Sequence, residues 1–372
     1  MSGQTRSGTA PDTVPGRPLR LSVRKRVGFS LALLALTGVL VLVLGEVSFR
    51  AWAAYDRQRA FASADYADDL WATYDPLLGY RLNPAFEDHN AAGLRDRPVP
   101  PRSARPRLLM LGDSLGYDGD SIDDTYVRYL ETALRDGGPD GRDPIEIEVI
   151  NASVMGYTTH QEILYLERDG VALDPDVVGL AFVLNDVHQF LHQFQHRDGR
   201  ILRTNLYQFT DEASGQRPGW LDSLFLHWLV DQLQIGGTVA GVMAASGFPF
   251  EYKVDIGTAW KPERWGVVDE ALERFRMLGR EHGFEPFIVM FPMLLQYDEA
   301  LLARDREYLL QPQNQLAERS TRLGIPFLDL YGEMRPEHFD DDGLHLSAEG
   351  RRAVAIPIAD FLHREGLTAP LR

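Results

Sequence analysis

Past Arg107, short apolar runs alternate with amphipathic helices, and this alternation limits the fold more than any other feature of the chain. The runs are Leu108 to Gly112, Ile145 to Ile150, Val177 to Leu184, Phe287 to Phe291 and Phe327 to Leu330. Short apolar runs alternating with amphipathic helices read as a parallel sheet covered on both faces. The expected fold class is α/β: a three-layer α/β/α sandwich around a five-stranded parallel sheet.

The intervening helices carry start and stop signals. Tyr126, Leu130, Ala133 and Leu134 share a face before Gly137-Gly138, and Thr159 with Glu162 reads as a capping box ahead of Ile163, Leu164 and Leu166. Val267, Val268, Ala271, Leu272, Phe275 and Leu278 repeat the pattern before Gly283. Between the third and fourth strands lie about 100 residues, far beyond the 10 to 12 or so of a crossover, so roughly 187–262 reads as an insertion.

Upstream, Val27 to Gly45 is a run of 19 residues without a charge, which at about 1.5 Å per residue nearly spans a roughly 30 Å hydrocarbon core. Six basic side chains precede it within residues 1–26, against Asp12 alone. The positive-inside bias then puts residues 1–26 in the cytoplasm as a disordered tail and everything past Glu46 on the far side. A cleaved signal peptide is the competing reading, but the run exceeds the usual apolar core of such signals, about 7 to 15 residues. Residues 46–105, with the Pro/Arg-rich PVPPRSARP, read as a stalk and linker to a domain over 106–372.

The formal charge is −16, and with +5 in the first 26 residues the remainder carries −21. A body that acidic repels a phosphate backbone, so nucleic acid is not an expected partner. The chain has no cysteine, which excludes disulfides, thiolate nucleophiles and zinc-thiolate sites.

In an open parallel sheet, ligands bind beyond the carboxyl ends of the strands, and the chemically able residues fall there. Ser114 follows the first strand in LLMLGDSLG, at a strand-to-helix turn, where the triplet alone is equally compatible with a helix N-cap. Gly156 follows the second strand in NASVMGYTTHQE and can present a backbone N–H; Asn185 follows the third in FVLNDV and can present an amide. After the fifth comes FDDDGLHLSAEG, where Asp342 and His345 are three apart. That spacing lets an acid orient an imidazole, although Asp340 and Asp341 are alternative acids.

These four blocks, in this order, resemble those of the SGNH/GDSL hydrolases, over about Arg107 to Leu362. Gly-x-x-Thr-x-Gln at Gly156 to Gln161, Pro175-Asp176 and His345-Leu346-Ser347 add to the likeness. The resemblance implies a flavodoxin-like SGNH hydrolase fold, with Ser114 as nucleophile, His345 as base, Asp342 orienting it, and Ser114, Gly156 and Asn185 as the oxyanion hole. It implies neither metal nor cofactor. The segment Asp75 to Arg95 is similar to the stalk of membrane-anchored bacterial members. Two departures stand out: Val183 replaces the usual glycine two before the asparagine, and Gly116 to Asp120 form an unusual loop. The implied activity is that of a membrane-anchored, periplasmic serine esterase or O-acyltransferase on acetyl or short acyl esters of envelope glycans. The rivals are a lipid esterase and a non-catalytic scaffold of polysaccharide assembly.

Other signals have plainer readings. His188, His192 and His196 would align on a helix, but they lack carboxylate partners in sequence, so a metal site is not expected. The apolar stretch Gly219 to Val242 reads first as a core helix of the insertion, with a lid, an acyl-chain pocket or a bilayer-touching surface helix as the alternatives. Asp113 and Asp186 read as structural, ordering their loops.

Overall fold

The computed structural model describes residues 22–62, 71–137, 144–188, 192–197, 200–208, 223, 225 and 256–367. Helix α1, Val23–Ala62, is one continuous run of 40 residues. Its segment Val23–Trp52 is long and apolar enough to cross a membrane. The helix outlasts the apolar run because Glu46 to Ala62 holds no proline or glycine to stop it and is rich in alanine and arginine, which favour helix. Glu46 accepts hydrogen bonds from the Ser223 hydroxyl and the Phe225 N–H, at 2.7 and 2.9 Å. The rest of the apolar stretch Gly219 to Val242 lies outside the described residues.

A hairpin follows: β1, Ala72–Asp75, and β2, Gly79–Leu82, antiparallel. The main sheet comprises β3, Arg107–Leu111; β4, Glu148–Asn151; β5, Val177–Phe182; β8, Glu285–Met290; and β9, Phe327–Asp329. Between the third and fourth of these stands a second hairpin, β6, His192–Arg197, with β7, Arg200–Gln208. All neighbours in the main sheet are parallel and the order is β4-β3-β5-β8-β9, so the five-stranded parallel sheet is as expected.

Period-two alternation splits the sheet's side chains between two cores. Leu109, Leu111, Leu180 and Ile288 enter one core, while Leu108, Met110, Phe287 and Val289 enter the other. The first is covered by α4, Thr159–Arg168, α5, Gly266–His282, and α7, Gln311–Leu323; the second by α3, Tyr126–Asp136, and α8, Ala348–Arg364. Two further helices, α2, Ser114–Tyr117, and α6, Glu299–Leu309, complete the set named here. This is the three-layer sandwich.

Three local expectations change. The histidines at 188, 192 and 196 do not share a helix: His192 and His196 are in β6, and His188 precedes it. The capping pair of α4 is Thr158 and Gln161, whose Oε1 accepts the Thr158 N–H at 3.3 Å, because the helix starts one residue earlier than the Thr159 reading requires. Glu162 is thereby turned inward.

The third change concerns residues 71–97. Leu78, Tyr80, Leu82 and Leu94, taken above as stalk, are buried in the first core. Tyr157 donates to Tyr80 O at 2.6 Å, Tyr80 donates to Met155 O at 2.7 Å, and Gln161 donates to Leu78 O at 2.8 Å. Arg168 clasps Asp75 with both oxygens at 2.8 Å. The hairpin closes apolar surface that the helices on that side leave open.

Adjacent leucines test this. Leu78 is 0% exposed and Leu77 is 44% exposed. Denaturant unfolding of Leu78→Ala is expected to show a loss of about 2–5 kcal/mol, against within ~0.5 kcal/mol for Leu77→Ala.

Candidate active site

Ser114 stands where β3 ends and α2 begins, and it is buried. The turn is fixed by Asp113, the α2 N-cap, whose Oδ1 accepts the Leu115 N–H at 3.0 Å. The Ser114 hydroxyl lies 3.4 Å from Asp113 Oδ2. Asn185, in the single turn Leu184–Asp186 after β5, donates its amide to the same Oδ2 at 3.2 Å. An amide nitrogen carries two hydrogens, so one held by Asp113 fixes the plane and leaves the other for a ligand.

Gly156 lies in the loop after β4 at φ 75°, a left-handed conformation that a side chain would strain. Tyr157 and Thr158 after it are buried against the hairpin and α4, which holds the loop at the sheet's edge.

His345 reaches the site from the loop before α8. Its Nδ1 is 2.5 Å from Asp342 Oδ2, while Asp342 Oδ1 accepts the N–H groups of Leu344 and His345 at 2.8 and 2.9 Å. Gly343, at φ 72°, lets the chain double back between the two. Of the three consecutive aspartates, Asp342 is therefore the one that meets the imidazole; Asp340 instead gives its N–H to His345 O at 2.9 Å.

Burial disfavours the charged imidazole, but Asp342 outweighs it, with Asp113 and Asp118 adding, and His345 is raised above its ordinary value. Burial would raise Asp342, and the hydrogen bonds from His345 and the two N–H groups outweigh it, so Asp342 is lowered. Burial raises Asp113, against opposition from Leu115, Asn185 and His345. Asp113 and Asp118, from the early turn, are among the charges that raise His345, and His345 in turn opposes the rise of Asp113. Among the described residues, the Ser114 hydroxyl is hydrogen-bonded to Asp113 rather than to His345. Hydrogen bonds of this kind often tighten only once substrate is bound.

The sequence reading missed two groups here. Tyr117, at the end of α2, is gripped by the former stalk: His89 Nε2 lies 3.0 Å from its hydroxyl, Arg95 stacks 5.0 Å from its ring centre, and Arg95 donates to Tyr117 O. Glu162 turns its carboxyl into the protein beside Asp186 and Asp113. Sequence spacing carries no signal for the first; for the second, the sole hint is a glutamate one residue past the capping position.

The raised imidazole makes a test of the Asp342 contact. Replacing Asp342 by Asn is expected to lower the His345 pKa, read by NMR titration of the ring. Because His345 titrates higher when folded, its stabilising share is full below its unfolded value of about 6.5 and fades as pH rises through the folded one. The matching share of Asp342 is present above its unfolded value and lost as pH falls through its lowered folded one. The side chains are 31% and 51% exposed, so solvent screening keeps this contribution small.

The family model of the GDSL-like lipase/acylhydrolase family matches residues 110–353. A search of curated proteins gives no match. Similar solved structures include Axe2, an acetylxylan esterase from Geobacillus stearothermophilus (16% identity over 70% of this chain and 94% of that chain, TM-score 0.39). A carbohydrate acetylesterase family member from Sinorhizobium meliloti has 17% identity over 70% of this chain and 99% of its own, TM-score 0.38. The lipase/acylhydrolase from Enterococcus faecalis has 17% identity over 70% and 96%, TM-score 0.37. The family model spans every strand-end block described above except the first residues of β3, and on that match this chain belongs to the GDSL-like lipase/acylhydrolase family, as an SGNH-type serine hydrolase.

Proposed function

We propose that this protein is a membrane-anchored, extracytoplasmic serine esterase or acyltransferase that acts on O-acetyl or short acyl esters of cell-envelope glycans. The observation that carries the reading is Asp113. One carboxylate binds the Ser114 turn and the Asn185 amide and lies within the electrostatic reach of His345.

Ser114 Oγ attacks the ester carbonyl as His345 Nε2 takes its proton, and Asp342 holds Nδ1 and stabilises the imidazolium. The carbonyl oxygen becomes an oxyanion facing the Ser114 N–H, the Gly156 N–H and the second hydrogen of Asn185 Nδ2. Collapse breaks the ester C–O bond, and the proton from His345 goes to the leaving alkoxide. Water, or a sugar hydroxyl in a transferase, then attacks the acyl-enzyme with His345 as base again.

The anchor supports the envelope setting: residues 1–26 as a cytoplasmic tail, 27–45 crossing the bilayer, and the catalytic body outside. The contact of Ser223 and Phe225 with Glu46, just past the apolar run, favours a second reading, in which the ester belongs to a lipid.

Three measurements test these statements. With a chromogenic acetyl ester and the full chain in detergent, Ser114→Ala is expected to lose at least about 1000-fold in kcat, and Asn185→Ala about 100- to 1000-fold. Equal turnover by wild type and Ser114→Ala ends the nucleophile assignment. Preference for long-chain over acetyl esters supports the lipid reading instead. The cysteine-free chain also allows single-cysteine topology mapping. Ala91→Cys is expected to react with a membrane-impermeant maleimide on intact cells, while Ser7→Cys reacts only after lysis.

A further inference from the structure

Beneath the nucleophile turn lie buried carboxyls that the ester chemistry does not use. Glu162, from α4, is 1% exposed, and neither of its carboxyl oxygens has a hydrogen-bond partner. Asp186, from the turn after β5, is 0% exposed; its Oδ2 accepts the Val183 N–H at 2.8 Å and its Oδ1 has no partner. Asp113 is the third, also buried. The Tyr126 hydroxyl from α3, the Ser153 hydroxyl after β4 and Asn185 Oδ1 are likewise buried and unpartnered. A Cβ on Gly116 would collide with Ser153 Oγ, so this hydroxyl lies directly against α2.

The charged groups that bear on Glu162 are Asp186 and Asp113; its own helix contributes none. On Asp186 the influences are Asp113, the Val183 N–H and the Thr159 hydroxyl, and His345 acts on Asp113. No described cation pairs with Glu162 or Asp186. Three carboxylates cannot all ionise in such a place, because each charge would be desolvated and repelled by its neighbours. Asp113 has two donors, from Leu115 and Asn185, against one for Asp186, from the Val183 N–H, so it is the best placed of the three to carry a charge. Glu162 has none and keeps its proton, which makes it a donor as well as an acceptor beside oxygens that need donors.

We propose that Glu162 is a positioning residue for the ester reaction: as a neutral acid it supplies a proton to the buried group beneath Ser114 and keeps a second negative charge away from the oxyanion site. Burial, then Asp186 and Asp113, push its carboxyl well above the usual range, in agreement. One extra buried negative charge close to a developing oxyanion would repel it and slow its formation by about 10- to 100-fold. The reaction is therefore expected to lose rate on the alkaline side as the buried group gives up its proton.

The proposal rests on the roles given to Ser114 and Asn185. If those fail, Ser114→Ala retains turnover; the experiment here reads Glu162 separately. In the full chain at neutral pH, the wild-type minus Glu162→Gln infrared difference spectrum is expected to show a protonated carboxylic acid lost. The isosteric, permanently neutral Gln is expected to keep kcat within about 3-fold of wild type at the optimum and to move the alkaline fall of kcat to higher pH. Glu162→Ala, which also lacks the ionisable group, is expected to move the alkaline limb in the same direction but, with the shape and donor gone, to lose the stability and the kcat at the optimum that Glu162→Gln keeps. Loss of carboxylate bands in the Gln spectrum, an unmoved alkaline limb in Glu162→Gln, or a wild-type profile flat up to unfolding each overturns the proposal.

Discussion

The site depends on one buried carboxylate at the carboxyl end of a central strand. Asp113 caps the helix that Ser114 opens, holds the Asn185 amide, and feels the charge of His345. Its position follows from the sheet. Because β3 pairs with both β4 and β5, the loops that follow these three strands are neighbours, and a side chain as short as aspartate can join two of them. Parallel pairing matters here, since it sends every loop carrying a functional group to the same edge.

The same geometry sets an electrostatic problem. An acidic protein has concentrated carboxyls at the one place where negative charge must develop during catalysis. Two arrangements answer it. Asp342 is spent on His345 in a half-exposed loop, where solvent screens it, and Glu162 and Asp186 are buried deeply enough to favour the neutral acid. Beside Ser114 stands Asp113, whose rise on burial is opposed by the Leu115 N–H, the Asn185 amide and the charge of His345. The packing of the first core supports this. The β1–β2 hairpin and residues 83–97 press on Tyr117, Tyr157 and Gln161, the residues that follow Ser114 and Gly156, so the amino-terminal segment is part of what holds the site.

The strands of the main sheet were legible because each is a short, mainly apolar run between amphipathic stretches, and the helices α3 and α5 because their stripes end in glycines that take the left-handed C-cap conformation. Ser114, Gly156, Asn185 and His345 were legible because each directly follows a strand or stands in a distinctive block. The hairpin was not: Ala72 to Leu82 is short, mixed in polarity and bordered by proline-rich text, so its burial depends on surface offered by α4 and the β4 loop. The histidines at 192 and 196 show the reverse case, since a period of four suits a helix, while local pairing with Arg200–Gln208 makes them strand residues.

The amino-acid sequence by itself determined the strand count of the main sheet, its parallel class, the apolar helix at the amino end and the residue types available for acyl transfer, because these follow from local periodicity and from blocks short enough to read directly. Only the tertiary structure decided which of three adjacent aspartates meets His345, that Asp113 joins the Ser114 turn to Asn185, that residues 71–97 are core and that Glu162 faces inward. Most of those outcomes depend on desolvation and on contacts between residues distant in the chain; the choice among the three aspartates is local, but it turns on the left-handed bend at Gly343, which the spacing does not reveal.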